Sequence, residues 1–400
     1  MIGISKLYCG TVEVSDPLRY GRDSSRLPSH LLQFSQDKKP VVVWNVTRRC
    51  NLGCLHCYAQ ADAKGAPDEL TTEEGHALLE DLASFGVPVV LFSGGEPLMR
   101  PDLTELIKKA VALGMRAVIS TNGTLISRAK ARELKTLGLS YVGISLDGIG
   151  EVNDRFRKME GAYHAALRGI ENCQEAGLKV GLRFTINRRN AEEVAKLFDL
   201  IWERRIPRIC FYHLVYSGRG SELMAEALAP DETRRIVDLI LNRTRELHRR
   251  GHPAEVLTVD NHCDGPYVYL RLLEEDPDRA AEVMRLLEWN EGNNTGRGIG
   301  CVSWDGTVHP DQFWRHLSLG NVRERPFSEI WSDLDIETLR DLRERKKHLH
   351  GRCARCRWLA TCNGNFRVRA EAVTGDLWAP DPACYLTDAE IGVEKTGPAD

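Results

Sequence analysis

Apolar runs beginning near Val41, Val87, Arg116, Tyr141, Val180 and Arg208 alternate with stretches of helical period across residues 41–214. A period of two marks a strand and one of 3.6 a helix, so the pattern predicts six strand–helix units in series. Thr71 followed by Glu74 reads as a capping box opening the first of these helices. Gly86, Gly114, Gly138 and Gly177 each stand where a helix stops and a strand begins, the place of a left-handed C-terminal glycine. Strands joined through helices run parallel with right-handed crossovers. Six units are too few to close an eight-fold barrel, so the expected fold class is α/β with an open, partial (β/α)6 barrel. Its active site belongs at the C-terminal ends of the strands.

After Leu214 the alternation breaks. Residues 217–220 read as a loop and 231–250 as a helix. The expected division is an N-terminal extension over 1–40, packing over the barrel, and the barrel over 41–250. A helical linker over 251–300 and a second domain over 301–400, rich in Cys, Trp, Arg and Gly, complete it.

Composition narrows the function classes. A net charge of −3 over 400 residues does not suggest a nucleic-acid binder. No apolar run approaches the roughly 20 residues that cross a membrane. The first ten residues lack the basic and long apolar stretches of a signal peptide, so the expected location is the cytoplasm. In such a chain, clustered cysteines read as metal ligands rather than disulfides. Of the 12 cysteines, Cys9, Cys173, Cys210, Cys263 and Cys301 are scattered and read as small buried hydrophobes, while the others form two tight groups.

The first group is Cys50, Cys54 and Cys57, at i, i+4 and i+7 beyond the strand at 41–46. Iron–sulfur clusters are held by thiolates, usually four. Three from one loop hold three irons of a 4Fe–4S cube and leave the fourth open, as a catalytic metal site requires. A structural zinc knuckle with His56 as fourth ligand is the bland alternative. Ser93-Gly94-Gly95-Glu96-Pro97 follows the second strand, and its two glycines let backbone approach a ligand closely. Strand alternation puts Gly143, Ser145 and Asp147, then Gly181, Arg183, Thr185 and Asn187, toward the barrel lumen. An inward arginine is costly without an anion, so Arg183 expects a carboxylate. Thr121-Asn122-Gly123 suits a turn and a ligand contact equally. The second group, Cys353, Cys356, Cys362 and Cys384, fits a complete 4Fe–4S cluster, with zinc as the alternative.

The Cys-x3-Cys-x2-Cys loop followed by Gly94-Gly95-Glu96 resembles the radical S-adenosylmethionine (SAM) enzymes. The resemblance implies that SAM chelates the open iron and that one electron from the cluster breaks a carbon–sulfur bond, giving a 5′-deoxyadenosyl radical. It implies SAM contacts from Tyr58, Gly94, Gly95, Glu96, Ser145, Asp147 and Arg183. The C-terminal cysteines resemble the SPASM module, which often carries two auxiliary clusters. Asp311 and Phe366 stand where many members have cysteine, and Cys301 is a candidate remnant. One auxiliary cluster is therefore expected, making two 4Fe–4S clusters in all.

Along nearly its whole length the chain is similar to the tetrapyrrole-modifying branch of these enzymes. The segments that carry this include Asp147-Gly148-Ile149-Gly150, Asp154-Arg155-Phe156-Arg157, Ser217-Gly218-Arg219-Gly220 and His309-Pro310-Asp311-Gln312-Phe313-Trp314. The resemblance implies an iron-tetrapyrrole substrate, 12,18-didecarboxysirohaem. It implies loss of two acetate side chains to give iron-coproporphyrin III in the sirohaem-dependent route to haem. The neighbouring haem d1 type removes propionates from the same precursor; the opening decapeptide and Cys301 favour acetate removal. An electron donor such as flavodoxin or ferredoxin is implied as partner. A flat iron-bearing ring with several carboxylates needs arginines and aromatic faces. Arg48, Arg183, Arg219 and Arg315 are candidates, with Trp304, Phe313 and Trp314. His213, His309 and His316 are candidate iron ligands, the last two favoured by aromatic neighbours. A peptide-modifying SPASM maturase should carry a leader-binding domain, which residues 1–40 do not suggest. A non-catalytic electron carrier or haem chaperone would not need an open iron.

Overall fold

The computed structural model describes residues 1–11 and 39–393; most of the expected N-terminal extension lies outside the described residues. The described strands are β1 (Ile2–Gly3), β2 (Val41–Thr47), β3 (Val89–Gly94), β4 (Arg116–Thr121), β5 (Tyr141–Ser145) and β6 (Val180–Ile186). They continue with β7 (Arg208–His213), β8 (Glu255–Val259), β9 (Ile299–Val302), β10 (Thr307–His309) and β11 (Gly320–Asn321). They form one sheet in the order β1-β8-β7-β6-β5-β4-β3-β2-β9-β10-β11. Neighbours from β2 to β8 pair in parallel, and β9 runs parallel along the free side of β2. The order ends at β1 and β11, so the barrel is open, as expected.

All six expected strands are present, and two features depart from the expected division. Residues 251–300 are not a purely helical linker: they hold β8, a further parallel strand on the edge of β7. Its five residues form a run too short to tell from a buried helical segment by period alone. The boundary at 301 falls inside β9, so the sheet continues from the barrel into the C-terminal region. Ahead of Val41, β1 pairs antiparallel with β8.

Val142, Ile144, Leu146, Leu182 and Phe184 share one buried core with Leu78, Leu106, Ile170 and Leu197 from the covering helices. That leaves the opposite strand faces to the lumen. The expected capping box is present: Thr71 Oγ1 accepts from Glu74 N at 3.2 Å, and the Glu74 carboxylate accepts from Thr71 N at 2.8 Å. Gly86 ends that helix at φ 89°. Among the described residues no helix is long and apolar enough to cross a membrane.

The C-terminal region is tied to the barrel by buried charge. Arg369 and Asp381 are fully buried and 2.8 Å apart. Arg369 also donates to the carbonyls of Leu214 and Asp260, beyond the ends of β7 and β8. Removing one partner of such a pair strands the other charge in a low dielectric. Arg369→Ala should therefore lower the unfolding free energy by about 3–5 kcal/mol in anaerobic urea titrations.

Candidate active site

At the C-terminal ends of the strands a cavity opens between barrel and C-terminal region. Cys50, Cys54 and Cys57 line it together with Ser93, Gly94 and Gly95 at the end of β3. Thr121 and Asn122 after β4, Ser145 on β5 and Arg183 and Thr185 on β6 continue the wall. Tyr212, His213, Asp260, Gln312 and Phe313 close the far side.

The cysteine loop is held mainly through backbone. Gly95 N donates to Thr47 O at 2.7 Å, and Glu96 N to Arg49 O at 2.8 Å. A Cβ on Gly95 would stand 2.3 Å from Arg49 O, and one on Gly94 2.4 Å from Thr47 O, so only glycine fits. On the other side Gly218 has Tyr58 O at 2.4 Å from its Cβ position. Arg219 donates to Cys54 O from Nε and to Ala61 O from Nη1.

Arg157 is a site residue that sequence reasoning did not single out. Its Nη2 lies 2.6 Å from Asp147 Oδ2, and its Nη1 donates to Cys54 Sγ at 3.4 Å. Burial works against its charge, but Asp147 and the Cys54 sulfur outweigh that and raise its pKa. Burial raises the Cys54 thiol, with Arg157 opposing, and pushes Cys50 up to about 12. A cluster that binds thiolates supplies the positive charge these buried sulfurs need. The only sequence signal for Arg157 was its place in the Asp154–Arg157 segment.

Several expected contacts are otherwise engaged. Glu96 is fully buried and its carboxylate accepts from Thr121 Oγ1, Asn122 N and Leu98 N, so it braces β4 against β3 rather than lining the cavity. Asp147 also does not line the cavity; it serves Arg157. Arg48 pairs with Asp62 outside the cavity. Trp314 is 1% exposed, packed in the core rather than offering a ring face. Both ring nitrogens of His309 are committed, Nε2 with Ser303 Oγ at 2.9 Å and Nδ1 with Leu317 O at 2.7 Å, so it is not free to bind iron. His316 is half-exposed and pairs with Glu371, away from the cysteines.

The other expectations are placed at the cavity. Tyr58 donates to Asn45 Oδ1 at 2.9 Å and lies 3.0 Å from Ser93 Oγ. Arg183 lies over the Tyr212 ring, 4.8 Å from its centroid, and has no carboxylate partner among the described residues. Arg219 also lines the cavity, and its Nη2 is buried without a hydrogen-bond partner. His213 Nε2 contacts Asp264 Oδ2 at 2.9 Å. His56, the fourth ligand of the zinc alternative, has Nε2 3.6 Å from Asp147 Oδ2 and Nδ1 buried without a hydrogen-bond partner, and burial holds its ring down to about 4.

The description "Radical SAM superfamily" matches residues 44–201, and "Iron-sulfur cluster-binding domain", the SPASM type, matches 295–357. The chain is 69% identical to Fe-coproporphyrin III synthase of Methanosarcina barkeri, over 98% of this chain and 99% of that one. It is 45% identical to Pre-heme d1 synthase of Dinoroseobacter shibae, over 88% of each. This chain belongs to the radical SAM superfamily. Streptococcus suis SuiB, solved with S-adenosylmethionine bound, shares the fold at a TM-score of 0.68 and 17% identity, covering 90% of this chain and 81% of that one.

A radical SAM enzyme uses SAM and a 4Fe–4S cluster, and its SPASM domain binds further iron and sulfur. The cavity suits the first pair: three thiols line it together with Arg183, which has no carboxylate partner among the described residues. In the SPASM region, burial raises the Cys362 thiol, and the nearby Cys384, Cys353 and Cys356 raise it further. Asp311 is spent on Thr295 Oγ1 and Phe313 N, and Phe366 packs on Phe313 at 5.6 Å; neither position offers a thiol for a second auxiliary set. Cys263, expected as a scattered hydrophobe, is buried and donates from Sγ to Asn261 Oδ1 at 3.0 Å; its nearness is the largest influence lowering the Cys384 thiol.

Reconstituted protein should hold about eight irons per chain, and a Cys353→Ala/Cys384→Ala variant about four, by iron and sulfide analysis. Gly95→Ala, which forces the cysteine loop outward, should slow dithionite-driven 5′-deoxyadenosine formation roughly 100-fold. Its far-ultraviolet circular dichroism should stay unchanged.

Proposed function

We propose that this enzyme removes the two acetate side chains of 12,18-didecarboxysirohaem and releases iron-coproporphyrin III. The observation that carries this reading is the identity to Fe-coproporphyrin III synthase, spread over nearly all of both chains. The cavity agrees with an anionic aromatic substrate, since a buried, unpaired guanidinium and aromatic rings share one wall.

When bound, the reduced cluster and SAM supply a one-electron cleavage that yields a hydrogen-abstracting radical. The protein positions the reactants and keeps water out. Cys50, Cys54 and Cys57 are the three cluster ligands. Arg157 offsets thiolate charge at Cys54. The backbone of Gly94 and Gly95 lets SAM lie close to the end of β3, with Tyr58, Ser93 and Ser145 beside it. Arg183 takes a carboxylate of cofactor or substrate. Cys353, Cys356, Cys362 and Cys384 hold one auxiliary 4Fe–4S cluster. A flavodoxin or ferredoxin delivers the electron, in the cytoplasm, where cysteines stay as thiols able to hold a cluster.

A second reading, removal of propionates from the same precursor, is favoured by the similarity to Pre-heme d1 synthase. Anaerobic turnover of 12,18-didecarboxysirohaem with SAM and dithionite, followed by mass spectrometry, separates the two. The expected product has lost two acetates. Loss of propionates assigns the second reading, and 5′-deoxyadenosine formation with an unchanged tetrapyrrole rejects both.

A further inference from the structure

Beyond Phe313 lies a second cavity, lined by Tyr216, Ser217, Arg315, His316 and Glu371 and sharing Tyr58 and Phe313 with the first. The cavity beside the cysteines is the smaller of the two, ≈ 160 Å³ against ≈ 530 Å³. The larger volume falls within the range of small-molecule sites, roughly 300–1,000 Å³. Tyr58 and Phe313 meet edge to face, with centroids 5.4 Å apart, and form the shared wall.

The charges in this second cavity are unbalanced in one direction. Glu371 is answered by His316, whose Nε2 is 2.9 Å from its carboxylate. Arg315 has no such answer. Its guanidinium carbon lies 4.1 Å from the centroid of the Trp304 ring, and Nη1 donates to Ala59 O at 2.8 Å. Its Nε is buried without a partner, and among the described residues no carboxylate comes within ion-pair distance. Burial, with Asp305 only partly opposing, lowers its pKa from the usual arginine value. A guanidinium stacked on an indole and tethered through Nη1 is oriented before a ligand arrives, and Nη2 is left to donate to a carboxylate.

We infer that the second cavity binds a carboxylate-bearing arm of the tetrapyrrole, and that Arg315 is its anchor. The inference rests on the proposed function and deepens it. It places the ring across the Tyr58–Phe313 wall, with the reacting edge toward the cysteines and a retained carboxylate on Arg315. Arg183 and Arg315 then stand on opposite sides of that wall as two separate anion-binding points.

The test is equilibrium binding of iron-coproporphyrin III and of its tetramethyl ester to the anaerobically reconstituted, SAM-loaded enzyme. Arg315→Met, which keeps an apolar stem against Trp304, should weaken binding of the free acid roughly 10–100-fold and leave the ester unchanged. Arg315→Lys, which keeps charge without the planar stack on Trp304, should fall between wild type and Arg315→Met. If Arg315→Met binds the acid as tightly as wild type, the inference fails and the proposed function stands. Equal weakening for acid and ester makes Arg315 structural and also overturns it. If the Met variant does not fold, as judged by SAM binding, the Lys variant decides: acid binding equal to wild type overturns the anchor, and a selective loss upholds it. Wild type that binds neither porphyrin removes both the inference and the reading beneath it.

Discussion

The close backbone contact between the cysteine loop and the end of β3 is the constraint on which the site depends. Gly94 and Gly95 have Thr47 and Arg49 carbonyls where a side chain would begin, and Gly218 has those of Cys57 and Tyr58. The loop is thus clamped between two glycine-bearing turns, and its own side chains are left to face the cavity. Parallel strands present their ends at one face, so this clamp, Arg183 on β6 and His213 on β7 all reach the same space without long-range adjustment.

Buried charge is the second theme. Asp147 with Arg157, and Asp381 with Arg369, are internal pairs, in which Arg157 also donates to Cys54 Sγ and Arg369 to the carbonyls of Leu214 and Asp260. They hold the cysteine loop and the C-terminal region in register with the barrel. Arg183 and Arg315 differ: each lies against an aromatic ring with no carboxylate partner among the described residues. Paired arginines join elements here, and the two unpaired ones lie against aromatic rings at the cavities.

Much of the fold was legible because it rests on local period. The six barrel strands, the Thr71 cap and the helix-ending glycines follow from neighbours in sequence. The β8 strand was not, since five residues carry too little period to be assigned. The two cysteine groups and the lumen-facing Ser145, Arg183 and Thr185 were legible from spacing and alternation. Glu96 and Asp147 were readable as inward or loop residues, yet their partners, Asn122 N and Arg157, come from the loop after β4 and from the helix Glu151–Arg157. His309 and Trp314 drew attention through aromatic neighbours in sequence, but each is enclosed by its own turn and core.

By itself, then, the sequence determined the six strands from Val41 to His213, the cysteine spacing and the family to which that spacing belongs. Those are matters of period and of short covalent distance. Only the tertiary structure decided which charged side chains are spent on one another and which remain open to a ligand. Pairing depends on distances between residues far apart in the chain, as between Arg157 and Cys54 or Arg315 and Ala59. No local pattern encodes such a distance until the sheet has closed around it.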